Sequence, residues 1–524
     1  MSEPKCRRVV ERFVITGQLC LETPTHFGNG DAAALTDMPL LRDEVDQSPL
    51  LTGASLAGAL RNYLREHQLG YEDRPPQDPA NQQEQRRESA LLAAVLFGGQ
   101  RGYDEGAQSA LIVHDALGVA ADIERRDGVR IDPQTRTAED EKKFDIELLA
   151  AGSTFDLRFE LLVGVPTGLE RSSAEFQAHR DKLLQALATA LDGLTKGEIT
   201  LGARKRRGFG RCRVNEWQVQ RYDLDNREGL HAWLAAGRST DGMPWDATVQ
   251  PATAPTMAEA LTLTPSEDRR RRFQLHAEFT LESSLLVRAG SPGSGPDMVH
   301  LHSPRPGGAA VPILAGTSWA GVLRSRATQI ARTLAPAKDH DRFLAGMFGP
   351  AEIIERRRRR QRNENIRASR LEVAESEISG GHLLEQTRVK IDRFTGGAAE
   401  AALFTERPLF GQPATNLAAD GRPVTRLALD VSLRFPVTGR PRREQAEIGL
   451  LLLLLKDLWT GDLPLGGESG SGRGRLRGFQ AECSLPDQRW TLTQAGHNEH
   501  LIITGDPQAL QDFAVALKEE LQHG

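Results

Sequence analysis

The sequence predicts an α+β protein that is built from two tandem copies of one domain. Three observations lead to this prediction. A glycine-led helix start is written twice, as GASLAGALRNYL from residue 53 and as GTSWAGVLRSRA from residue 316. Six sequence blocks recur in the same order, at offsets of 251 to 264 residues (347 − 96 and 465 − 201). Each copy also combines strand-like alternation with a helical stripe of apolar residues.

The recurring blocks extend over both halves of the chain. Phe13 in ERFVITGQLCLE matches Phe273 in RRFQLHAEFTLE at an offset of 260 residues (273 − 13). The other matched pairs are LFGG at 96 with MFGP at 347, VRID at 129 with VKID at 389, and LGARKRRGFGR at 201 with LGGESGSGRGR at 465. A nearly constant offset indicates duplication of a whole domain.

The boundary between the copies follows from composition. Residues 235–268 are rich in Gly, Pro, Thr and Ala and lack periodicity, which predicts a linker. We therefore expect a first domain over residues 1–234 and a second over 269–524. The arginine run at 356–360 is either a solvated loop or a nucleic-acid contact.

The order of elements within a copy is the next prediction. Residues 11–22 alternate as a first strand, and apolar residues after Gly53 recur at helical spacing, with Ser55 and Ser318 at the positions of N-caps. Further strands are predicted at 153–163 and 425–435, helices at 174–194 and 443–459, and a last strand at 210–219. This order is that of a ferredoxin-like fold, which RNA-recognition modules also use.

Composition excludes several classes of protein. The 524 residues suffice for two to four domains, and a net charge of −5 excludes a uniformly basic nucleic-acid binder. Four scattered cysteines without a CxxC pair predict neither a zinc site nor a disulfide framework, and they favour a cytoplasmic protein. The longest apolar run, at 448–455, is too short to span a membrane and predicts a buried helix.

The repeated helix start is a candidate anion site. Free backbone N–H groups and the helix dipole favour phosphate at Gly53, Ser55, Gly316 and Ser318, and Arg61 and Arg324 add positive charge. The alternative is an ordinary helix cap.

The glycine-rich loop of the first copy is a second candidate site. Its glycines allow close approach of a ligand, its cations attract phosphate, and Phe209 is placed to stack on a base. The candidate residues are Gly202, Arg204, Lys205, Arg206, Arg207, Gly208, Phe209 and Gly210. The loop does not match GxxxxGK[ST], so a P-loop nucleotide site is set aside. The second copy replaces the central basic run, and its candidates are Gly466, Gly472, Arg473 and Arg475.

An acidic loop follows the first strand in both copies. Asp37 in the first copy matches Asp297 in the second, and both lie in loops that contain glycine. Such an aspartate is either a turn residue or a group that activates a 2′-OH or holds a divalent ion. His26, His300 and His302 are neighbouring candidate proton carriers. Asp297 lies 19 residues before its helix start and Asp37 lies 16 before (316 − 297 and 53 − 37), which predicts that Asp297 is displaced.

Three motifs together resemble a known family. GxSxxGxLR, the loop GxRxxRGFGR and TDMPLLRD are similar to the RAMP superfamily, and most similar to backbone subunits (Cas-seven type) of type III CRISPR effector complexes. The resemblance covers both halves. It implies tandem ferredoxin-like domains with inserted thumb hairpins, expected around residues 122–146 and 388–402, and it answers why the helix start is repeated, since a fused pair supplies two steps of a subunit filament along one guide RNA.

The resemblance also implies a function. The glycine–serine helix start and the glycine-rich loop, with His26, would bind the guide (crRNA), and Asp37 and Asp297 would cleave complementary target RNA with Mg²⁺ or Mn²⁺. The implied partners are crRNA, target RNA and other type III subunits, namely the large Cas-ten-type subunit, the small subunit and other RAMP subunits, with no membrane. Two alternatives remain open: a crRNA-binding scaffold that does not cut, and a guide-processing endoribonuclease that uses His26.

Overall fold

The computed structural model describes twelve segments of the chain: residues 8–30, 36–71, 91–99, 108–132, 135–166, 169–236, 252–264, 266–289, 295–350, 368–413, 416–494 and 499–523. The arginine run at 356–360 lies outside the described residues.

The first half contains nine strands and five helices among its described residues. The strands are β1 (Arg8–Leu21), β2 (Leu50–Leu51), β3 (Leu111–Val113), β4 (Ala116–Val119), β5 (Ile123–Ile131), β6 (Ala138–Leu149), β7 (Thr154–Val165), β8 (Cys212–Asp223) and β9 (Ala252–Ala254). The helices are α1 (Gly53–Leu69), α2 (Leu92–Phe97), α3 (Ala174–Thr195), α4 (Arg227–Ala235) and α5 (Met257–Ala260).

The second half repeats this order with additions at its end. Its strands are β10 (Arg271–Leu281), β11 (Ser284–Leu285), β12 (Arg288–Ala289), β13 (Met298–His300), β14 (His302–Pro304), β15 (Ala310–Leu314), β16 (Leu371–Val373), β17 (Ser376–Glu377), β18 (His382–Leu383), β19 (Gln386–Ile391), β20 (Ala398–Arg407), β21 (Leu409–Phe410), β22 (Arg426–Phe435), β23 (Leu476–Leu485), β24 (Gln488–Thr493) and β25 (Ile502–Thr504). Its helices are α6 (Gly316–Leu334), α7 (Asp341–Phe348), α8 (Pro441–Trp459) and α9 (Pro507–His523).

The central sheets of the two halves have the same arrangement. Strand β1 lies between β7 and β8, and β10 lies between β22 and β23, with antiparallel pairing throughout. Phe13 pairs with Leu161 in the first sheet, and Phe273 pairs with Leu433 in the second. The predicted tandem ferredoxin-like α+β fold is confirmed.

Helix α1 packs on the first sheet through the apolar stripe that its sequence predicts. Leu56, Leu60, Tyr63 and Leu64 are buried in the first core, and Ala59 packs against it. These side chains recur at i, i+4, i+7 and i+8, so they share one face of the helix. Trp319 and Leu323 take the same positions on α6 in the second core.

Helix α8 is apolar on nearly all sides, because both of its faces are covered. The run of leucines from 450 to 455 packs against the second sheet on one face and against α9 on the other. Gly449 has no room for a Cβ, since the backbone of Phe513 in α9 lies against it. The apolar run thus belongs to a buried helix, as its length predicts. No helix in the described part of the chain is long and apolar enough to span a membrane.

Part of the predicted linker packs on the first domain. Residues 252–254 form β9, which pairs with β8, and Met257 at the start of α5 is fully buried. The Asp192 carboxylate accepts hydrogen bonds from the backbone N–H groups of Met257 (2.6 Å) and Ala258 (3.3 Å). The composition of this segment concealed these elements, because a three-residue edge strand and a single helical turn are too short to show periodicity.

A β hairpin projects from each domain, as the resemblance implies. Strands β5 and β6 form the first hairpin, and β19 and β20 form the second. Arg126 lies opposite Ile146 in the first register, and Gln386 lies opposite Glu406 in the second. Each of these residues of one hairpin therefore has a counterpart 260 positions away in the other (386 − 126 and 406 − 146).

The two domains contact each other through buried charges. The Arg126 guanidinium bonds to Glu375 of the second domain, and it also donates to Glu124 (3.0 Å) and Ser303 (3.0 Å). The side chains of Arg126 and Glu375 are 5% and 2% exposed. Such a buried pair costs desolvation, so its intact geometry is needed to hold the junction.

Candidate nucleic-acid interface

A cleft of about 850 Å³ lies where the start of α1, the loop after β1 and the glycine-rich loop of the first domain meet. Arg434 of the second domain contributes to its wall. The cleft brings together six residues that the sequence singled out from three separate segments: His26, Asp37, Ser55, Gly202, Lys205 and Arg206.

The helix start at the cleft differs from its predicted geometry. Helix α1 begins at Gly53 and Thr52 is its N-cap, because the Thr52 hydroxyl accepts from the Ser55 N–H (3.3 Å) and donates to the Ser55 hydroxyl (2.8 Å). Ala315 holds the same position before α6, and the N–H of Ser318 bonds to its carbonyl (2.9 Å). The prediction that Ser55 and Ser318 are N-caps is wrong, since both lie inside the first turn.

The glycines at the two helix starts are required for close packing. A Cβ on Gly53 would overlap the carbonyl oxygen of Val113, and one on Gly316 would overlap those of Val373 and Arg207. The Gly53 N–H is already occupied, because it donates to the Asp115 carboxylate (2.6 Å). These glycines set the position of the helix, and the N–H of Gly53 already has an anionic partner.

The two helix arginines do not line the cleft. Arg61 donates to the carbonyl of Gly98 (3.2 Å), which fixes α1 to the turn after α2. Arg324 lies near Arg207: burial, and secondarily the charge of Arg324, lowers the pKa of Arg207 to about 10.

The glycine-rich loop of the first domain has a defined backbone. Gly202, Arg204, Gly208 and Gly210 have φ angles of 79°, 54°, 83° and 80°, around a 3-10 turn at Lys205–Arg207. A Cβ on Gly202 would overlap the His26 carbonyl. Glycine is needed here both for the positive φ and for this close approach.

The basic side chains of this loop divide between the cleft and the second domain. Lys205 is exposed, and Arg206 pairs with Glu372 while it lines the cleft. Arg207 points away and donates to the carbonyls of Leu371 (3.2 Å) and Phe348 (3.3 Å). One part of the predicted phosphate-binding run therefore joins the domains.

The surroundings of these cations penalise their positive charge. Burial, and secondarily the charge of Arg434, lowers the pKa of Arg206 to about 10. Lys205 keeps an exposed surface, but neighbouring protein atoms displace part of its water, and this partial desolvation, together with the charge of Arg206, lowers its pKa. The protein thus disfavours the positive charge of these two side chains, and an anionic ligand would relieve this, although Asp37, Glu66 and Glu198 also line the cleft.

Phe209 does not face the cleft, so the prediction that it stacks on a base is wrong. Its ring is 3% exposed and packs against Ile146 and Leu148, with Met38 beside them. The aromatic contact of the loop is made by Arg204, whose guanidinium lies 4.4 Å from the centre of the Phe144 ring in the hairpin.

The second glycine-rich loop has the same backbone and a different chemistry. Gly466, Glu468, Gly472 and Gly474 have φ angles of 72°, 58°, 86° and 76°, around a 3-10 turn at Ser469–Ser471. A glutamate therefore stands at the left-handed position that Arg204 occupies in the first loop.

Two predicted contacts of the second loop differ in their surroundings. Arg473 is 4% exposed and bonds to the fully buried Glu406, so its expected role at an RNA surface is wrong. Arg475 is exposed and donates to the Gly461 carbonyl (3.4 Å).

Both loop aspartates are fixed to the hairpin of their own domain. The Asp37 carboxylate accepts from the N–H of Asp145 (3.0 Å), and the Asp145 carboxylate accepts from the N–H of Asp37 (2.8 Å). Asp297 accepts from the N–H of Thr405 (2.7 Å), and the Thr405 hydroxyl accepts from the N–H of Asp297 (3.2 Å). Both partners lie 108 residues after their aspartate, so the two arrangements are equivalent.

The longer loop of the second domain does not separate Asp297 from the hairpin. Arg42 pairs with Pro49 in the first domain, and His302 pairs with Pro312 in the second. The three additional residues therefore lie inside the β14–β15 turn, and the predicted displacement of Asp297 is wrong in this respect.

The histidines near these loops are held by the fold. His26 is 4% exposed, its Nδ1 lies 2.9 Å from the Glu147 carbonyl, and its own carbonyl accepts from the Ala203 N–H (3.0 Å). His300 is 1% exposed, and burial lowers its pKa to about 4. His302 has its Nδ1 2.7 Å from the His300 carbonyl.

Asp145 and Arg434 are site residues that sequence reasoning missed. Asp145 is half-buried beside Asp37, and the hydrogen bond from the Asp37 backbone lowers its pKa. Arg434 bonds to Glu66 (3.1 Å) across the domain boundary and to Glu372 (2.6 Å) within its own domain. Only the hairpin register and the contact between domains bring these residues to the cleft, and neither is visible in a local motif.

The carboxylates suit a divalent ion unequally in the two domains. Asp37 and Asp145 offer two adjacent carboxylates, whereas Asp297 stands beside Thr405. Mg²⁺ binds to one or two protein carboxylates together with waters and substrate phosphates, so both sites fit it in kind and the first fits better. The described residues contain no group of three or more His, Cys, Asp or Glu side chains that could hold a metal alone.

A family model covers most of the chain in two separate regions. The RAMP superfamily model matches residues 19–213 and again residues 278–477. The two matches coincide with the two domains, and each spans a loop aspartate, a helix start and a glycine-rich loop. No curated protein matches the chain.

Proposed function

The chain belongs to the RAMP superfamily, and on this basis we propose that it is a backbone subunit of a type III CRISPR effector complex that cleaves target RNA. Superfamily membership supports a CRISPR-associated role in RNA binding. The finer proposal is that the subunit binds crRNA and cuts the complementary target at two positions one domain apart.

The observation that carries this proposal is the duplicated aspartate–hairpin unit. In both domains an exposed carboxylate is held by a hydrogen bond from the hairpin backbone, Asp37 by Asp145 and Asp297 by Thr405. The side chains of Asp37 and Asp145 also contact each other, so the first unit presents two neighbouring carboxylates. An aspartate that only stabilised a turn would not need to be presented to solvent in a cleft that also holds Lys205 and Arg206.

Guide binding is assigned to the cleft of the first domain. Lys205 and Arg206 supply the charge, and Ser55 in the first turn of α1 lines the same cleft. An RNA phosphate there would offset the burial and mutual repulsion that lower the pKa of both cations. The low net charge of the chain then agrees with a confined RNA path.

Cleavage is assigned to the loop aspartates. A free carboxylate oxygen beside an RNA backbone can accept the proton of an attacking 2′-OH or hold it in line. Asp145 would hold a Mg²⁺ or Mn²⁺ ion together with Asp37, and such an ion supplies positive charge for the phosphate that is attacked. The other proposed partners are target RNA and the remaining type III subunits.

A crRNA-binding scaffold without activity is the second candidate, and one observation favours it. Each aspartate already has a structural task, because it accepts a hydrogen bond from the hairpin backbone. The guide-processing alternative has less support, since His26 is 4% exposed and its Nδ1 is engaged by Glu147.

Mapping of cuts tests the proposal. The full chain is assembled with guide RNA and its partner subunits, and labelled complementary RNA is added with magnesium to wild type, Asp37→Ala, Asp297→Ala and the double variant. We expect each single change to abolish a different cut by at least about 100-fold, as removal of a catalytic acid or base does, with unchanged target binding.

The other outcomes discriminate between the candidates. Loss of one cut only, in Asp37→Ala, would assign activity to the first domain alone. An identical cutting pattern in all four proteins would contradict the nuclease proposal and leave the scaffold. Asp43→Ala is a matched control, because this aspartate lies in the same loop and its carboxylate closes a turn by accepting from the Val45 N–H (2.9 Å).

A further inference from the structure

Compared with the first domain, the second domain has less positive charge in its glycine-rich loop and more on neighbouring strands. Glu468 has the left-handed φ that Arg204 has in the first loop, so an acid replaces a base. Arg288 forms a β pair with His300 in the second domain, and Gly28 forms the equivalent pair with Leu40 in the first domain. The strand position of a glycine in the first domain is thus taken by arginine in the second.

The hairpin shows the same replacement. Arg388 lies opposite Phe404 in the second hairpin, and Gly128 lies opposite Phe144 in the first. The loss of the central basic run from the loop is therefore accompanied by the gain of two arginines on the outer strands of one four-stranded sheet, whose order is β12-β13-β20-β19.

Glu468 holds both new arginines. Its carboxylate lies 3.1 Å from the Nη1 of Arg388 and 3.7 Å from the Nη2 of Arg288. It also lies 3.4 Å from the Nη1 of Arg473, and Glu406 contacts Arg388 (2.7 Å) and Arg473. Three guanidinium groups thus share two carboxylates, and this cluster keeps one positive charge in excess.

The charges are arranged with the acids inside and two of the cations outside. The side chain of Glu406 is fully buried and that of Glu468 is 18% exposed, whereas those of Arg388 and Arg288 are 37% and 54% exposed. Arg473 is buried beneath them at 5%. An arginine that is fixed by a carboxylate on one side and open to solvent on the other is ready to bind a phosphate.

The position of these arginines agrees with an RNA path. Arg288 begins β12, which pairs with β13, and β13 follows Asp297 directly. Strand β13 also pairs with hairpin strand β20, whose neighbour β19 carries Arg388. The two arginines therefore lie on either side of the strand pair β13–β20, and β13 is the strand that follows the candidate cleavage residue.

We propose that Arg288 and Arg388 form the RNA phosphate contact of the second domain, in place of the basic run of the first glycine-rich loop. This inference rests on the proposed RNA-binding function. It transfers the role predicted for Arg473 to two residues outside the loop, and it makes Glu468 their positioning residue.

The salt dependence of RNA binding tests the inference. Affinity of the full chain for a labelled single-stranded RNA of guide length is measured by fluorescence anisotropy at several KCl concentrations. Each phosphate contact contributes about 0.7 to the slope of log affinity against log salt for single strands. We expect the double variant Arg288→Gln/Arg388→Gln to reduce the magnitude of this slope by about 1.4, because two phosphate contacts are lost. Arg422→Gln with Arg426→Gln is the matched control, since these arginines pair with Glu278 and Asp420, outside the cluster around Glu468.

A variant that returns the basic residue to the loop distinguishes loss of a phosphate contact from loss of folding. Arg288→Gly, Arg388→Gly and Glu468→Arg together restore the first-domain pattern, and we expect this variant to regain about 0.7 of the slope. Equal slopes for wild type and the double variant, or no recovery in the triple variant, would overturn the inference. If the wild type binds RNA and the variants have the same slope, the proposed function stands and this inference is wrong. If the wild type does not bind RNA, both the proposed function and this inference are wrong.

Discussion

The two domains share a backbone and differ in what that backbone carries. The glycine-rich loops have the same sequence of positive φ angles, and both loop aspartates bond to their hairpins. Beneath the loop, however, the first domain has Phe209 packed on Ile146, and the second has Arg473 bonded to Glu406. Duplication thus preserved the geometry of the site while its charges were redistributed.

The difference at the hairpin base also explains how the domains are joined. Arg126 of the first hairpin reaches Glu375, and its counterpart in the second hairpin is Gln386. The first glycine-rich loop lies against the second domain at Gly208, whereas a Cβ on the equivalent Gly472 would meet no described atom within 4 Å. The first glycine-rich loop therefore forms part of the junction between the domains, whereas the second is open at the equivalent glycine.

The largest expected effect comes from making the first hairpin resemble the second. Arg126→Gln leaves Glu124 buried without its cation and Glu375 buried with only Arg305 (3.1 Å) among the described residues, and we expect the free energy of unfolding to fall by about 3–5 kcal/mol. Chemical denaturation measures this loss, and Arg125→Gln, at an exposed neighbouring position, is the control. A loss below about 1 kcal/mol would show that the junction does not depend on this pair.

We expect the stability loss caused by Arg126→Gln to depend on pH. Burial already raises the pKa of Glu124 above its ordinary value in the wild type, and removal of Arg126 raises it further. A folded-state pKa above the unfolded value favours the protonated folded form, so stability is gained as the pH falls through that range. We expect the defect of Arg126→Gln to shrink from about pH 7 towards about pH 5. A defect that grew on acidification would contradict this account.

A glycine pair tests the asymmetry of the loops with a smaller effect. Alanine at Gly472 meets only the penalty of a positive φ, about 1–2 kcal/mol. Alanine at Gly208 meets the same penalty and also overlaps the backbone N of Glu375 in the second domain. We expect Gly208→Ala to lose about twice as much unfolding free energy as Gly472→Ala, measured by chemical denaturation. Equal losses would mean that the loop does not bear on the junction.

The smallest expected effect concerns the metal. Asp145→Thr gives the first domain the carboxylate set of the second, and Thr405→Asp does the reverse. We expect the first change to raise the Mg²⁺ concentration for half-maximal cutting at the first position by about 10-fold, and the second change to lower it at the second position. Titration of Mg²⁺ in the cut-mapping assay measures both, and no change in either would remove Asp145 from the site.

The main strands and helices of each copy could be read from local patterns, whereas the short elements such as β9 and α5 could not. The stripe on α1, the alternation of β1 and the apolar run of α8 depend on neighbours within a few residues, so periodicity identified them. Six of the eight left-handed loop positions were marked by glycine, whose freedom at positive φ is a property of the residue itself, whereas Arg204 and Glu468 carry no such mark. The duplication was equally visible, because it needs only the order and spacing of the blocks.

The fate of individual side chains in the site depended on residues far away in the chain. Phe209 is buried because the hairpin brings Ile146 beneath it, and Arg207 faces inwards because the second domain supplies carbonyls for it. Asp145 reaches Asp37 only through the hairpin register. The same basic residue of a motif can contact a carboxylate, a carbonyl or solvent in the folded protein, so the motif alone does not distinguish these outcomes. Packing determines which groups lose their water, and desolvation then decides which charges must be paired within the protein and which stay open to a ligand.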